Sequence, residues 1–174
     1  MPYPTIRRAA DSQQDAPNGR QPAGSVQRAK RRAPNAGSAI RILLVDDHPL
    51  VREGLKRTLT SMVGVIVVGE AASGEEAVAR ARDLEPNLVI MDLSLPRMSG
   101  IEASRLIKAQ LPATRILALT MHGDEGYIRG ALEAGANGYL VKDARPSELV
   151  EAIEAVHRGE QYVMVGSPHH GPRK

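Results

Sequence analysis

The 174-residue chain has no cysteine, which excludes disulfides, thiolate catalysis and any cysteine-ligated metal. It has no Phe and no Trp, and Tyr3, Tyr127, Tyr139 and Tyr162 are its whole aromatic content. A core must therefore be built from Val, Ile, Leu, Ala and Met. No apolar run approaches the ~20 residues of a membrane-spanning helix, and no apolar segment follows the first charges as a secretory signal requires. Walker A, nucleophile-elbow and HExxH patterns are also missing. Acidic residues are scarce at one end only. Residues 1–39 hold seven Arg/Lys against Asp11 and Asp15, net +5, whereas residues 40–174 hold 16 against 18, net −2.

What is present divides the chain. Residues 1–39 carry five of the twelve prolines and almost no aliphatic side chains. Such a segment cannot bury enough surface to offset its ordering entropy, so it reads as a disordered basic leader. Its cluster Arg28, Lys30, Arg31 and Arg32 reads first as a solvated tail and second as a nucleic-acid contact. From Ile40 the pattern changes to strand–helix alternation. Strands are expected over residues 40–45, 63–68, 88–92, 114–120 and 138–141. The first helix starts at Pro49 with Leu50, Val51, Leu55, Leu59 and Met62 as its apolar stripe. Capping boxes at Ser73-Gly74-Glu75-Glu76 and Ser99-Gly100-Ile101-Glu102 open the second and third helices. The fourth spans about residues 124–134 and is closed by Gly135. The fifth starts at Pro146 and ends at Gly159. Five such units in a row predict an α/β domain, a parallel sheet doubly wound with helices on both faces. Residues 160–174 read as a linker-like tail.

The strand ends carry the chemistry. The first offers Asp46 and Asp47, the third Asp92, the fourth Thr120 and the fifth Lys142; the second offers no equivalent group. A lone Asp after a strand is most simply a turn residue. If the strand order reverses beside the first strand, however, the first and third strands are neighbours and the three carboxylates converge. Three carboxylates in one pocket repel and call for a hard cation, for which Mg2+ is suited. A hydroxyl and an ammonium opposite them would bind the oxygens of a transferred phosphoryl group. The set looks built for phosphoryl transfer onto a carboxylate.

Over residues 40–159 the chain resembles the receiver domain of two-component response regulators. The motifs are Leu43-Leu44-Val45-Asp46-Asp47-His48-Pro49, Met91-Asp92-Leu93-Ser94-Leu95-Pro96-Arg97-Met98-Ser99-Gly100, Leu119-Thr120 and Gly138-Tyr139-Leu140-Val141-Lys142-Asp143. Their wording is nearest the NarL/FixJ type, whose output domain is a LuxR-type helix-turn-helix DNA binder. The resemblance implies a flavodoxin-like (βα)5 fold with a five-stranded parallel sheet in the order 2-1-3-4-5. It implies Asp92 as phosphoacceptor, and Asp46, Asp47, Asp92 and the Ser94 carbonyl as the Mg2+ ligands. Thr120 and Lys142 would bind the phosphoryl group, and Thr120 and Tyr139 would form the switch. Ser94 and His122, two residues after Asp92 and Thr120, resemble positions that set the decay rate in the family. The implied donor is a sensor histidine kinase, with a homodimer or a full-length paralogue as further partners. Self-dephosphorylation would be slow, so the chain is expected to be a phosphoacceptor and not a turnover enzyme. A cytoplasmic location without membrane contact goes with that reading.

Other readings fit the residues less well. The resemblance predicts a DNA-binding domain after residue 159, and residues 160–174 are too few and too polar to fold as one. The chain then reads as a single-domain regulator or a truncated relative of a transcription factor, with no sequence-specific DNA binding of its own. An aspartyl-nucleophile phosphatase would want a second Asp where Ser94 stands, and a flavodoxin-like FMN binder would want a phosphate loop where Asp46-Asp47-His48-Pro49 stands. His48, His122 and His157 read as loop or helix-end residues, and His169-His170 as a solvated tail. Tyr127 and Tyr162 read as packing residues. Met91, Met98 and Met121 read as core filler, with Met121 also placed to guard Asp92.

Overall fold

The structure is a computed structural model that describes residues 39–121 and 125–164. The basic cluster of the leader, His122, His169 and His170 lie outside the described residues. Six strands and five helices follow in the order β1 (Ile40–Val45), α1 (Pro49–Thr60), β2 (Val65–Ala71), α2 (Gly74–Leu84), β3 (Leu88–Asp92), α3 (Gly100–Gln110), β4 (Arg115–Thr120), α4 (Glu125–Glu133), β5 (Gly138–Val141), α5 (Pro146–Arg158) and β6 (Tyr162–Met164). The strands form one sheet ordered β2-β1-β3-β4-β5-β6, with every pair parallel.

Strand side chains alternate between two apolar layers, as a pleat with a period of two requires. Leu43, Val45, Val89, Met91, Ile116, Ala118 and Tyr139 face α2, α3 and α4 through Ala77, Ala81, Ala103, Ile107 and Ala131. Ile42, Leu44, Leu88, Ile90, Leu117, Leu119 and Leu140 face α1 and α5 through Leu59, Leu149, Ile153 and Val156. All five residues of β3 are buried, consistent with its continuous apolar run at the centre of the sheet. Helix starts follow their caps. Ser73 Oγ and Ser99 Oγ each accept a hydrogen bond from the backbone N–H three residues on, both at 3.2 Å. Glu76 completes its end by accepting from Ala72 N–H at 2.9 Å.

The structure departs from the sequence reading in the number of strands, in the bounds of β2 and at three side chains. The sheet has six strands, not five. Tyr162–Met164 pairs with β5 inside the stretch read as a tail, because the turn at Gly159 (φ 90°) delivers a short apolar run to the open edge of the sheet. β2 begins two residues later than expected, because Gly64 at φ 79° makes the turn before it, and it extends to Ala71. Leu50 is 88% exposed and does not belong to the buried stripe of α1; it precedes the first inward-facing turn. Met121 is 69% exposed at the end of β4 and fills no core space, and Tyr127 is also exposed.

Candidate functional site

β1 lies between β2 and β3, so the sheet order reverses at β1 and a crevice opens above the carboxyl ends of β1 and β3. Val45 is in register with Met91, which puts Asp46 and Asp47 beside Asp92. On the other side, Asp92 is in register with Leu119 and Thr120 with Val141, so Thr120 and Lys142 close the array. The Lys142 N–H donates to the Thr120 carbonyl at 2.7 Å, tying the last two strand ends together.

Asp46, Asp92 and Thr120 have no solvent exposure, while the Asp47 side chain is 28% exposed. Lys142 Nζ lies 2.7 Å from Asp46 Oδ2 and 2.8 Å from Asp92 Oδ2. Burial pushes the Lys142 pKa down, but the two carboxylates outweigh it and hold the ammonium above the ordinary lysine value. The one ammonium contacts two of the three carboxylates, so the pocket keeps an excess of acidic groups. Asp46 Oδ2 and Asp92 Oδ2 share the one Lys142 ammonium through charge-assisted hydrogen bonds, and Asp47 Oδ1 is buried with the His48 ring 3.0 Å away. Ligand atoms of Asp46, Asp47, His48 and Asp92 lie within 4.8 Å of one another. Oxygen donors and an excess of acidic groups together fit a hard divalent cation.

The remaining contacts hold these groups in place. The Ser94 N–H donates to Asp92 Oδ1 at 3.0 Å, and the His48 N–H to Asp46 Oδ1 at 2.8 Å. Gly100 leaves room for the loop to fold back: its N–H bonds the Leu93 carbonyl, and a Cβ there would collide with the Asp92 carbonyl oxygen. Tyr139 is wholly buried in the layer beneath α2, α3 and α4. Every predicted site residue within the described chain thus lies at or directly below one crevice.

Two features escaped the sequence reading. Arg52 Nη1 donates to the Asp46 carbonyl at 2.7 Å, and its Nε pairs with Glu70 at 3.0 Å. Lys56, one turn on, reaches the same carboxylate at 2.6 Å and holds it below the usual carboxylate range. The signal was an Arg at the i−3 position from Leu55, on the inward face of a helix starting at the site. The second is the His48 ring, which sits against Asp47 and Asp46 and does not point away as a loop side chain would. Among the described residues no helix is long and apolar enough to cross a membrane.

Comparison with known proteins agrees with this geometry. The family model of the response regulator receiver domain matches residues 42–154. An uncharacterized transcriptional regulatory protein, YxjL of Bacillus subtilis, is 45% identical over 121 residues, covering 70% of this chain and 56% of the relative. The response regulators GacA of Pseudomonas protegens and UvrY of Escherichia coli are 43% and 44% identical over 124 residues, covering 71% of this chain and 58% and 57% of theirs. The chain therefore spans less than two thirds of the length of these relatives. Among solved structures, a LuxR-family two-component response regulator from Aurantimonas sp. is 48% identical, with a TM-score of 0.70 over 74% of this chain and 91% of that one. The receiver domain of the response regulator NarL from Mycobacterium tuberculosis is 32% identical, with a TM-score of 0.69 over 71% of this chain and all of that one. The chain belongs to the receiver domains of two-component response regulators, among relatives of the NarL/LuxR type.

Proposed function

We propose that Asp92 is the phosphoacceptor of this receiver, taking a phosphoryl group from a phosphohistidine of a sensor histidine kinase. The observation that carries the reading is the fully buried pair Asp46 and Asp92, held by one ammonium at 2.7 and 2.8 Å with Asp47 beside them. A carboxylate oxygen of Asp92 attacks phosphorus in line. The P–N bond breaks, and the leaving imidazole keeps its electron pair and takes a proton. Lys142 offers its ammonium to the phosphoryl oxygens, replacing part of its contact with Asp92. The Ser94 N–H fixes the rotamer of the attacking carboxylate. Asp46, Asp47, Asp92 and the Ser94 carbonyl would hold Mg2+, which when bound supplies charge neutralisation to the phosphoryl oxygens.

Thr120, buried beside the acceptor, is placed to follow a new phosphoryl oxygen, and Tyr139 on the next strand is in register with Ala118 two residues before it. Their coupled movement would repack α4, β5 and α5 and change the preferred partner, a population shift between two packings. Water attack on the acyl phosphate releases inorganic phosphate and resets Asp92 to its carboxylate, with Ser94 and His122 as the residues that tune the lifetime. Candidate partners for the switched face are a second copy of this chain or a full-length paralogue. The test is Mg2+-dependent phosphorylation by acetyl phosphate, followed by intact mass. One phosphoryl adduct on the native chain and none on Asp92→Asn supports the assignment, and an undiminished adduct on Asp92→Asn contradicts it.

A further inference from the structure

His48 is the site residue whose side chain phosphoryl transfer leaves without a task. It occupies the N-cap of α1 at φ −90° and ψ 111°, yet its ring makes no capping hydrogen bond. Instead Nδ1 lies 3.0 Å from Asp47 Oδ1 and 3.4 Å from Asp46 Oδ1. The division of oxygens around it is informative. Lys142 engages Oδ2 of Asp46 and Asp92, which leaves Oδ1 of Asp46 and of Asp47 toward the ring. Asp47 Oδ1 is buried. At 3.0 Å the space between that nitrogen and oxygen holds either an Nδ1–H proton or, when an ion is bound, a shared cation. Two ligands each ~2.1 Å from one ion lie roughly 3.0 Å apart at a right angle and roughly 3.4 Å apart at a tetrahedral one. The two measured separations match those spacings. The ring is 65% exposed, so an ion can reach it from solvent.

Imidazole is a ligand for Co2+, Ni2+ and Zn2+, whereas Mg2+ takes oxygen. We propose that His48 adds a nitrogen ligand to the aspartate cluster, making this crevice a binding site for a first-row transition-metal dication that competes with Mg2+. This rests on the reading that Asp46, Asp47 and Asp92 hold a cation. His48 widens the range of ions taken and raises selectivity for those that accept nitrogen. A receiver so built is sensitive to the transition-metal content of its surroundings as well as to its kinase.

The test uses the full chain with His169→Gln and His170→Gln, which removes the adjacent pair of imidazoles as competing metal ligands. NiCl2 and MgCl2 are titrated calorimetrically into this background, and into the same background carrying His48→Gln or Asp47→Asn. The visible absorption of bound Co2+ is recorded for each. The expected result is that His48→Gln lowers the ratio of Ni2+ to Mg2+ affinity about tenfold or more and shifts the Co2+ bands, while Asp47→Asn weakens both ions. An unchanged ratio and spectrum in His48→Gln, with Asp47→Asn still weakening both ions, overturns the role of His48 alone. Indifference of both ions to Asp47→Asn overturns the aspartate cation site itself, and the proposal with it.

Discussion

Replacing Lys142 by Met keeps the length of the side chain and removes its charge. The ammonium faces two carboxylates that have no solvent exposure, at 2.7 and 2.8 Å, and its own side chain is only 7% exposed. Stripping one partner from such a buried cluster leaves charge without compensation, a loss of about 3 kcal/mol or more. In a domain of this size that is a fall in Tm of roughly 10 °C at pH 7 without added cation. The pH dependence has a definite sign. Burial lowers the Lys142 pKa and the carboxylates raise it by more, so its folded value lies above the ordinary 10.5. The stabilisation is then fully present below 10.5 and is lost as pH rises through the higher folded value. Urea unfolding followed by circular dichroism, run from pH 7 into the alkaline range, measures the difference between native and Lys142→Met chains. The gap should narrow only on the alkaline side, and saturating Mg2+ should narrow it at pH 7 by supplying the missing positive charge. A Lys142→Met chain as stable as the native one at pH 7 without cation would refute the electrostatic account of the crevice.

Three further outcomes are expected. Thr120→Ala should still accept phosphate while failing to pass the change to Tyr139 and the faces of α4 and α5, whereas Lys142→Ala should lose phosphorylation itself; equal loss of adduct in both, read by intact mass, removes the distinction. Asp47→Ala should weaken Mg2+ binding more than Asp46→Ala in a calorimetric titration, because Asp47 is the more open carboxylate while Asp46 Oδ2 is engaged by Lys142. Gly100→Ala should cost about 2 kcal/mol and slow phosphorylation, because its Cβ meets the Asp92 carbonyl and lies 2.8 Å from Leu93 Cα; native stability and native phosphorylation rate would show that the loop yields freely.

The strand ends were legible because they combine two independent signals. The apolar runs of β1 and β3 stop at Asp46 and Asp92, and the order of elements fixes which ends meet, so Asp46, Asp47, Asp92, Thr120 and Lys142 emerged together. β6 was hidden because three residues cannot display a period, and its existence depends on the edge that β5 offers. Leu50 and Met121 were misread because local spacing assigns a face without saying where a helix or strand leaves the core. Arg52 was missed for the converse reason. A charged residue on an inward helical position has no local partner, and its acceptors, the Asp46 carbonyl and Glu70, lie 6 and 18 positions away. The His48 contacts depend on one ring rotamer, which no sequence pattern encodes.

The central claim is that one carboxylate, Asp92, takes the phosphoryl group. An aspartyl phosphate is an acyl phosphate, and borohydride reduces it to the alcohol of homoserine while leaving free carboxylates intact. The full chain, treated with acetyl phosphate and Mg2+ and then with borohydride, should yield homoserine at position 92 alone when its peptides are sequenced by mass spectrometry. Homoserine at Asp46 or Asp47, or no reduction product from a chain that carries the phosphoryl mass, would contradict it.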